Sequence, residues 1–169
     1  MVEMIPVKDL SEEQMIDIVT AVVKGETTLQ EVKGFSDEQM EAIYAIAFNL
    51  YQGGKYKDAV EVFTWLGMMN PFVSKYWMGL GASLQMLKDF NNALNAYAVA
   101  AITSKPEDPV PHLHAGECYL GLGDKEEALK AFTMASDFSK NKPQYKKVFA
   151  KAQAFKEIIE LKVKEQKTP

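Results

Sequence analysis

A chain of 169 residues with 47% hydrophobic and 25% charged side chains is long enough for one folded domain and too apolar for extended disorder. Its net charge is -4, and all nineteen basic residues are lysines, which argues against a nucleic-acid partner because arginine is the preferred fork for phosphates and guanine edges. No apolar run is long enough to span a bilayer, and the acidic start lacks the basic region and apolar core of a signal peptide, so direct membrane insertion is not expected and a cytoplasmic location is.

Residues 1–10 read as a ragged start in which Pro6 prevents a regular helix. Ser11-Glu12-Glu13-Gln14 is a capping box, and the helix it opens carries Met15, Ile18, Val19, Val22 and Val23 on one apolar face that ends near Gly25. This stripe either caps the first repeat described below or buries itself against a second copy of the chain as a homodimer. A short bridge, Thr27 to Phe35, is anchored by Leu29, Val32 and Phe35. A second capping box, Ser36-Asp37-Glu38-Gln39, starts a helix with Ile43, Ile46, Ala47 and Leu50 turned toward its partner. Tyr44, Phe48 and Tyr51 recur at four and three residues and form a separate stripe. That helix breaks at Gly53-Gly54, and the next runs from Tyr56 to about Met69, closed by Asn70-Pro71.

The pattern then recurs. Ala59, Ala93 and Ala128 lie 34 and 35 residues apart, each followed four residues later by an aromatic, Phe63, Tyr97 or Phe132, and preceded twelve residues earlier by Ala47, Gly81 or Gly116. A period near 34 with small residues and aromatics at these offsets specifies the tetratricopeptide repeat, a pair of antiparallel helices that buries its core only by stacking on its neighbours. The small residue of helix A is expected to face the alanine of helix B, so a larger side chain at Gly81 or Ala93 would overpack the contact. In repeat two Trp77, Leu80, Gly81 and Leu84 form the inner packing, while Lys75, Met78, Ala82 and Gln85 share the face of the repeat-one aromatics. Its turn is Lys88-Asp89. Pro106, Pro109 and Pro111 separate repeat three, whose helices run from about Val110 to Leu122 and from Lys125 to Phe138 across the turn Gly123-Asp124. Beyond Pro143 a last amphipathic helix with Tyr145, Val148, Phe149, Ala152, Phe155 and Ile159 covers the open end. Nine of the lysines fall from Lys140 onward, against three glutamates, and this face is read as solvated.

The expected fold is therefore all-α: an α-solenoid of three tetratricopeptide repeats with N-terminal and C-terminal flanking helices. Its single domain divides into an N-terminal helical region at 11–35, repeats at 40–73, 74–107 and 109–142, and a capping helix at 143–164.

Residues that carry catalysis are missing. His112 and His114 are the only histidines, and two residues apart on a helix they point to nearly opposite sides, so they do not share a metal. His112 instead takes a packing position equivalent to Trp77. Cys118 is single, which fits a reducing compartment, and one turn from Gly116 it reads as packing. There is no glycine-rich phosphate loop, and the acidic residues fall on outer faces. No enzyme, cofactor or metal site is expected.

The segments AFNLYQGGKYKDAVEVF at Ala47 to Phe63, YWMGLGASLQMLKDFNNALNAYAVAA at Tyr76 to Ala101 and HAGECYLGLGDKEEAL at His114 to Leu129 resemble the SycD/LcrH/IpgC family, the class II chaperones of bacterial type III secretion. The resemblance covers roughly residues 25–139 and includes the Gly34-Phe35-Ser36 lead-in; Met1 to Lys24 stands outside it. It implies an all-helical chaperone that takes an extended segment of a hydrophobic translocator into its concave groove and that often dimerises through its N-terminal region. The client wall it implies is Tyr44, Phe48 and Tyr51, extended by Gln52, Phe72, Lys75, Met78, Ala82 and Gln85. The competing expectation is a scaffold whose convex face bridges folded partner proteins.

Overall fold

The computed structural model describes residues 11–165. Three of its helices begin at reciprocal caps. Ser11, Thr28 and Ser36 accept the backbone N–H three residues on, while Gln14, Glu31 and Gln39 reach back to the cap's own N–H, opening α1 (Glu12–Lys24), α2 (Leu29–Val32) and α3 (Asp37–Gln52). The chain then folds into α4 (Tyr56–Met69), α5 (Ser74–Met86), α6 (Phe90–Thr103), α7 (Pro109–Leu122) and α8 (Lys125–Ser139). A 3-10 turn at Pro143–Tyr145 leads into α9 (Lys146–Glu165). Residues 1–10, including Pro6, lie outside the described residues.

Each helix from α3 to α9 packs on the next in the chain, and the alternate helices α3, α5, α7 and α9 touch in series along one side. This is the stacked-pair solenoid expected from the 34-residue period, with α9 standing where the first helix of a fourth pair would be. Ala47, Ala59, Ala93 and Ala128 are wholly buried, as are Phe63, Tyr97 and Phe132. The three turns within the pairs place Gly54, Lys88 and Gly123 at one repeat position, and all three adopt the left-handed conformation, with φ of 74°, 62° and 81°. Lysine there is strained where glycine is not.

The reason for the small residues differs from the one expected. A Cβ built on Gly81 meets the ring of Tyr97 at 2.6–2.9 Å, and one on Gly116 meets Phe132 at 2.6–2.8 Å. In both pairs the partner's aromatic ring, four residues beyond its alanine, presses closest on the glycine. Gly79 has the same relation to Phe63 of the preceding pair, at 2.3–2.7 Å.

The faces of α3 are also redistributed. Ile46, expected in the core, is 55% exposed. The buried stripe is Met40, Ile43, Tyr44, Ala47, Leu50 and Tyr51, at intervals of three and four residues, and Ile46 falls one residue off it. Tyr44 and Tyr51 therefore belong partly to the core, and their stripe is its edge rather than a separate face. Trp77 is half-buried, with its indole N–H donating to the Pro71 carbonyl at 2.7 Å, while the neighbouring Tyr76 is the buried aromatic of that turn. Helix α1 buries none of its side chains; Met15, Val19 and Val23 are exposed.

Candidate functional site

Between α3 and α5 the solenoid leaves an open groove of about 620 Å³. One half is apolar, walled by Tyr44, Phe48 and Tyr51 from α3 and by Met78 and Ala82 from α5, with Phe63 at its floor. Phe63 reaches that floor because Gly79 has no side chain to stop it. The small Ala82 keeps the cleft from filling. Tyr44 is fixed in place by three aromatic neighbours: Phe63 edge-on at 5.9 Å, Tyr76 at 6.0 Å and Phe48 stacked at 6.3 Å. Lys75 lies over the Tyr44 ring at 4.6 Å and is held from its other side by the Glu41 carboxylate. Tyr51 packs edge-on against Tyr56 at 5.6 Å. Such walls are rigid before any guest arrives, which lowers the ordering cost of binding.

The other half is polar. Ser74 from α5, Thr103 to Lys105 from the end of α6, Asp108 at the cap of α7, and Tyr145 from the turn before α9 close the groove. The sequence reading placed Tyr145 on the packing stripe of the last helix; the others were not singled out, Lys105 and Asp108 because they come from a connection whose course the repeat period does not specify. Lys75 was, and it lies at the junction of the two halves.

Six of the nine expected wall residues thus come together: Tyr44, Phe48, Tyr51, Lys75, Met78 and Ala82. The other three do not line this groove. Gln52 is exposed at the end of α3. Phe72 is 56% exposed in the α4–α5 connection, close to Gly25 at the end of α1, where a Cβ would meet its ring at 3.3 Å. Gln85 is committed within the fold, its amide donating to Glu117 at 3.1 Å and its carbonyl oxygen accepting the Tyr97 hydroxyl at 2.7 Å.

Glu117 is the residue the sequence reading missed. It was counted among outer-face acids, yet only 14% of its side chain is exposed, and it joins three helices. One oxygen accepts from Gln85 of α5 and from Nδ1 of His114 at 3.1 Å; the other meets the Lys151 ammonium of α9. His114 also stacks on Tyr97 at 5.3 Å. Burial alone would raise the carboxyl's pKa, but the hydrogen bonds from His114, Lys151 and Gln85 outweigh it and hold the value near 2. A signal was available: Glu117 occupies the repeat position of Phe48 and Ala82, and Lys151 follows it by 34 residues as Lys75 follows Glu41.

Cys118 is buried, and burial first, then the adjacent Glu117 charge, pushes its thiol up to about 12, so it is inert as a nucleophile. His112 packs edge-on against Phe138 at 5.3 Å, and burial lowers its pKa. Among the described residues no group of three His, Cys, Asp or Glu side chains could hold a metal ion, and no helix is long and apolar enough to cross a membrane.

Models of the tetratricopeptide repeat match residues 40–66, 74–105 and 112–137. Low calcium response locus protein H of Yersinia pseudotuberculosis is 34% identical over 140 residues, covering 83% of each chain. The type III secretion chaperone SycD of Yersinia enterocolitica, solved with a peptide of the translocator YopD, superposes with a TM-score of 0.71 at 34% identity, over 75% of this chain and 96% of that one. PcrH, solved with the chaperone-binding region of PopD, gives a TM-score of 0.73 at 34% identity, over 76% and 96%. With its repeats, its groove and identity of this level over most of its length, the chain belongs to the tetratricopeptide-repeat translocator chaperones of type III secretion.

Proposed function

We propose that this chain holds an extended segment of a type III secretion translocator in the groove between α3 and α5, and so keeps that protein soluble and export-competent in the bacterial cytoplasm. The open, aromatic-walled cleft carries this reading, and the bound segments of YopD and PopD in the SycD and PcrH structures support it. Translocators act on membranes, so their apolar stretches aggregate or insert early when exposed. Micromolar binding needs about -8 kcal/mol net, after roughly 2–5 kcal/mol spent on ordering the client segment. Two or three filled apolar pockets, each contributing about 1.5–3 kcal/mol, supply most of this, and contacts to the client backbone supply the rest. No bond is made or broken.

The exposed stripe of α1, with Met15, Val19 and Val23, fits a homodimer in which each copy covers the other's N-terminal helix. SycD has been solved as a dimer, which supports self-association of this chain.

The test is coexpression with the translocator subunits of the same secretion system. The wild-type chain is expected to move a subunit from the pellet to the supernatant and to copurify with it. Ala82→Trp is the informative variant, because it fills the cleft without removing a core contact, as Tyr44→Ala would. It should lose the subunit and keep its melting temperature. Partners that are soluble without the chain, or that still copurify with Ala82→Trp, would place the function on another face, as a scaffold bridging folded proteins requires.

A further inference from the structure

The polar half of the groove has a defined hydrogen-bonding and charge character. The hydroxyls of Ser74, Thr103 and Ser104 donate to the carbonyls of Ala100, Val99 and Ala101 at 3.0, 2.9 and 3.1 Å. With their protons committed, these oxygens offer lone pairs only, so they suit the N–H groups of an extended strand. Two of the cations nearby are matched: Lys75 is held by Glu41, and Lys142 donates to Glu107 at 3.0 Å. Asp108 accepts the Val110 N–H at 3.0 Å as the cap of α7. Lys105 is the exception among the cations. It lines the groove, its side chain is exposed, and among the described residues it forms no ion pair.

We propose that Lys105 selects a client segment in which an aspartate or glutamate lies in the same extended stretch as the apolar anchors, at a position within the polar half of the groove. This rests on the groove reading above and deepens it. The aromatic half recognises apolarity, which many unfolded segments share. The unmatched ammonium adds a charge requirement that separates one apolar segment from another, since specificity is a difference of affinities.

A phage-displayed library of random peptides, selected in parallel on wild-type protein and on Lys105→Glu, tests this. On wild type the enriched peptides should combine apolar anchors with one position biased to Asp or Glu. The bias expected is about two- to fivefold per binding event, as for an exposed ion pair, and repeated rounds multiply it. On Lys105→Glu the same position should turn to Lys or Arg while the apolar anchors persist. Equal melting temperatures for the two proteins establish that the exposed substitution leaves the fold intact. Apolar peptides without an acidic position, or with one that Lys105→Glu also selects, would overturn the role of Lys105 and leave the groove reading standing. Failure of the wild type to enrich any apolar peptide would instead remove the groove reading, and this inference with it.

Discussion

Replacing Glu117 by glutamine removes one negative charge from a nearly closed network and leaves its shape almost unchanged. The carboxyl's fall from an ordinary 4.5 to about 2 in the fold corresponds to about 3 kcal/mol of preferential stabilisation of its charged form. Glutamine keeps an acceptor for Gln85 or His114, and Lys151, which is 49% exposed, can turn to solvent, so the net loss expected at pH 7 is smaller, about 1–2 kcal/mol. For a chain of this length that lowers Tm by roughly 2–8 °C. The sign of the pH dependence follows from the direction of the shift. The folded carboxyl is depressed, so its stabilisation is fully present above about 4.5 and is lost as pH falls toward 2, where the folded state must also take up the proton. Thermal melts followed by circular dichroism from pH 7 to pH 2.5 should show wild type and Glu117→Gln converging across that acid window. Parallel curves, with a constant gap or none, would refute the claim that Glu117 is held ionised by its partners.

Three further outcomes follow from the packing. Gly79→Ala drives a Cβ into the ring of Phe63, which is 1% exposed, so a loss of about 1–3 kcal/mol is expected in a denaturant titration. Lys88→Gly relieves a left-handed residue at the position where the sister turns already use glycine; the gain in stability, read in a denaturant titration, should be small, about 1 kcal/mol or less once the freer unfolded chain is counted. Val19→Lys with Val23→Lys should convert a dimer to a monomer in sedimentation equilibrium without unfolding the repeats, because α1 buries no side chain of its own. A dimer that survives both charges would place the contact between copies elsewhere.

Local signals are carried by short stretches of chain and needed no tertiary information. The capping boxes at Ser11 and Ser36, the Gly25 and Gly123 stops, and the 34-residue recurrence of Ala59, Ala93 and Ala128 were legible because each depends on a few neighbouring residues and on helical spacing. The same spacing was enough to draw Tyr44, Phe48, Tyr51, Met78 and Ala82 into one wall, since stacking pairs at constant period brings equivalent positions into line. What it left open was how that wall is shared between core and groove. Ile46 and Tyr44 differ by two residues, and only the packing of α4 and α5 on α3 decides that the tyrosine is half-buried and the isoleucine bare.

Residues far apart in sequence complete the site, and the repeat period alone does not say which of them meet. Tyr145 and Lys105 enter the groove from connections, and Gln85 is withdrawn from it by Glu117, whose partners lie on α5, α7 and α9. The sequence alone determined that this chain stacks helix pairs, because that follows from local spacing and from where small side chains recur. The tertiary structure decided which end of the groove is charged and which acid is buried, because burial and ion pairing depend on groups that meet only once the solenoid has closed on itself.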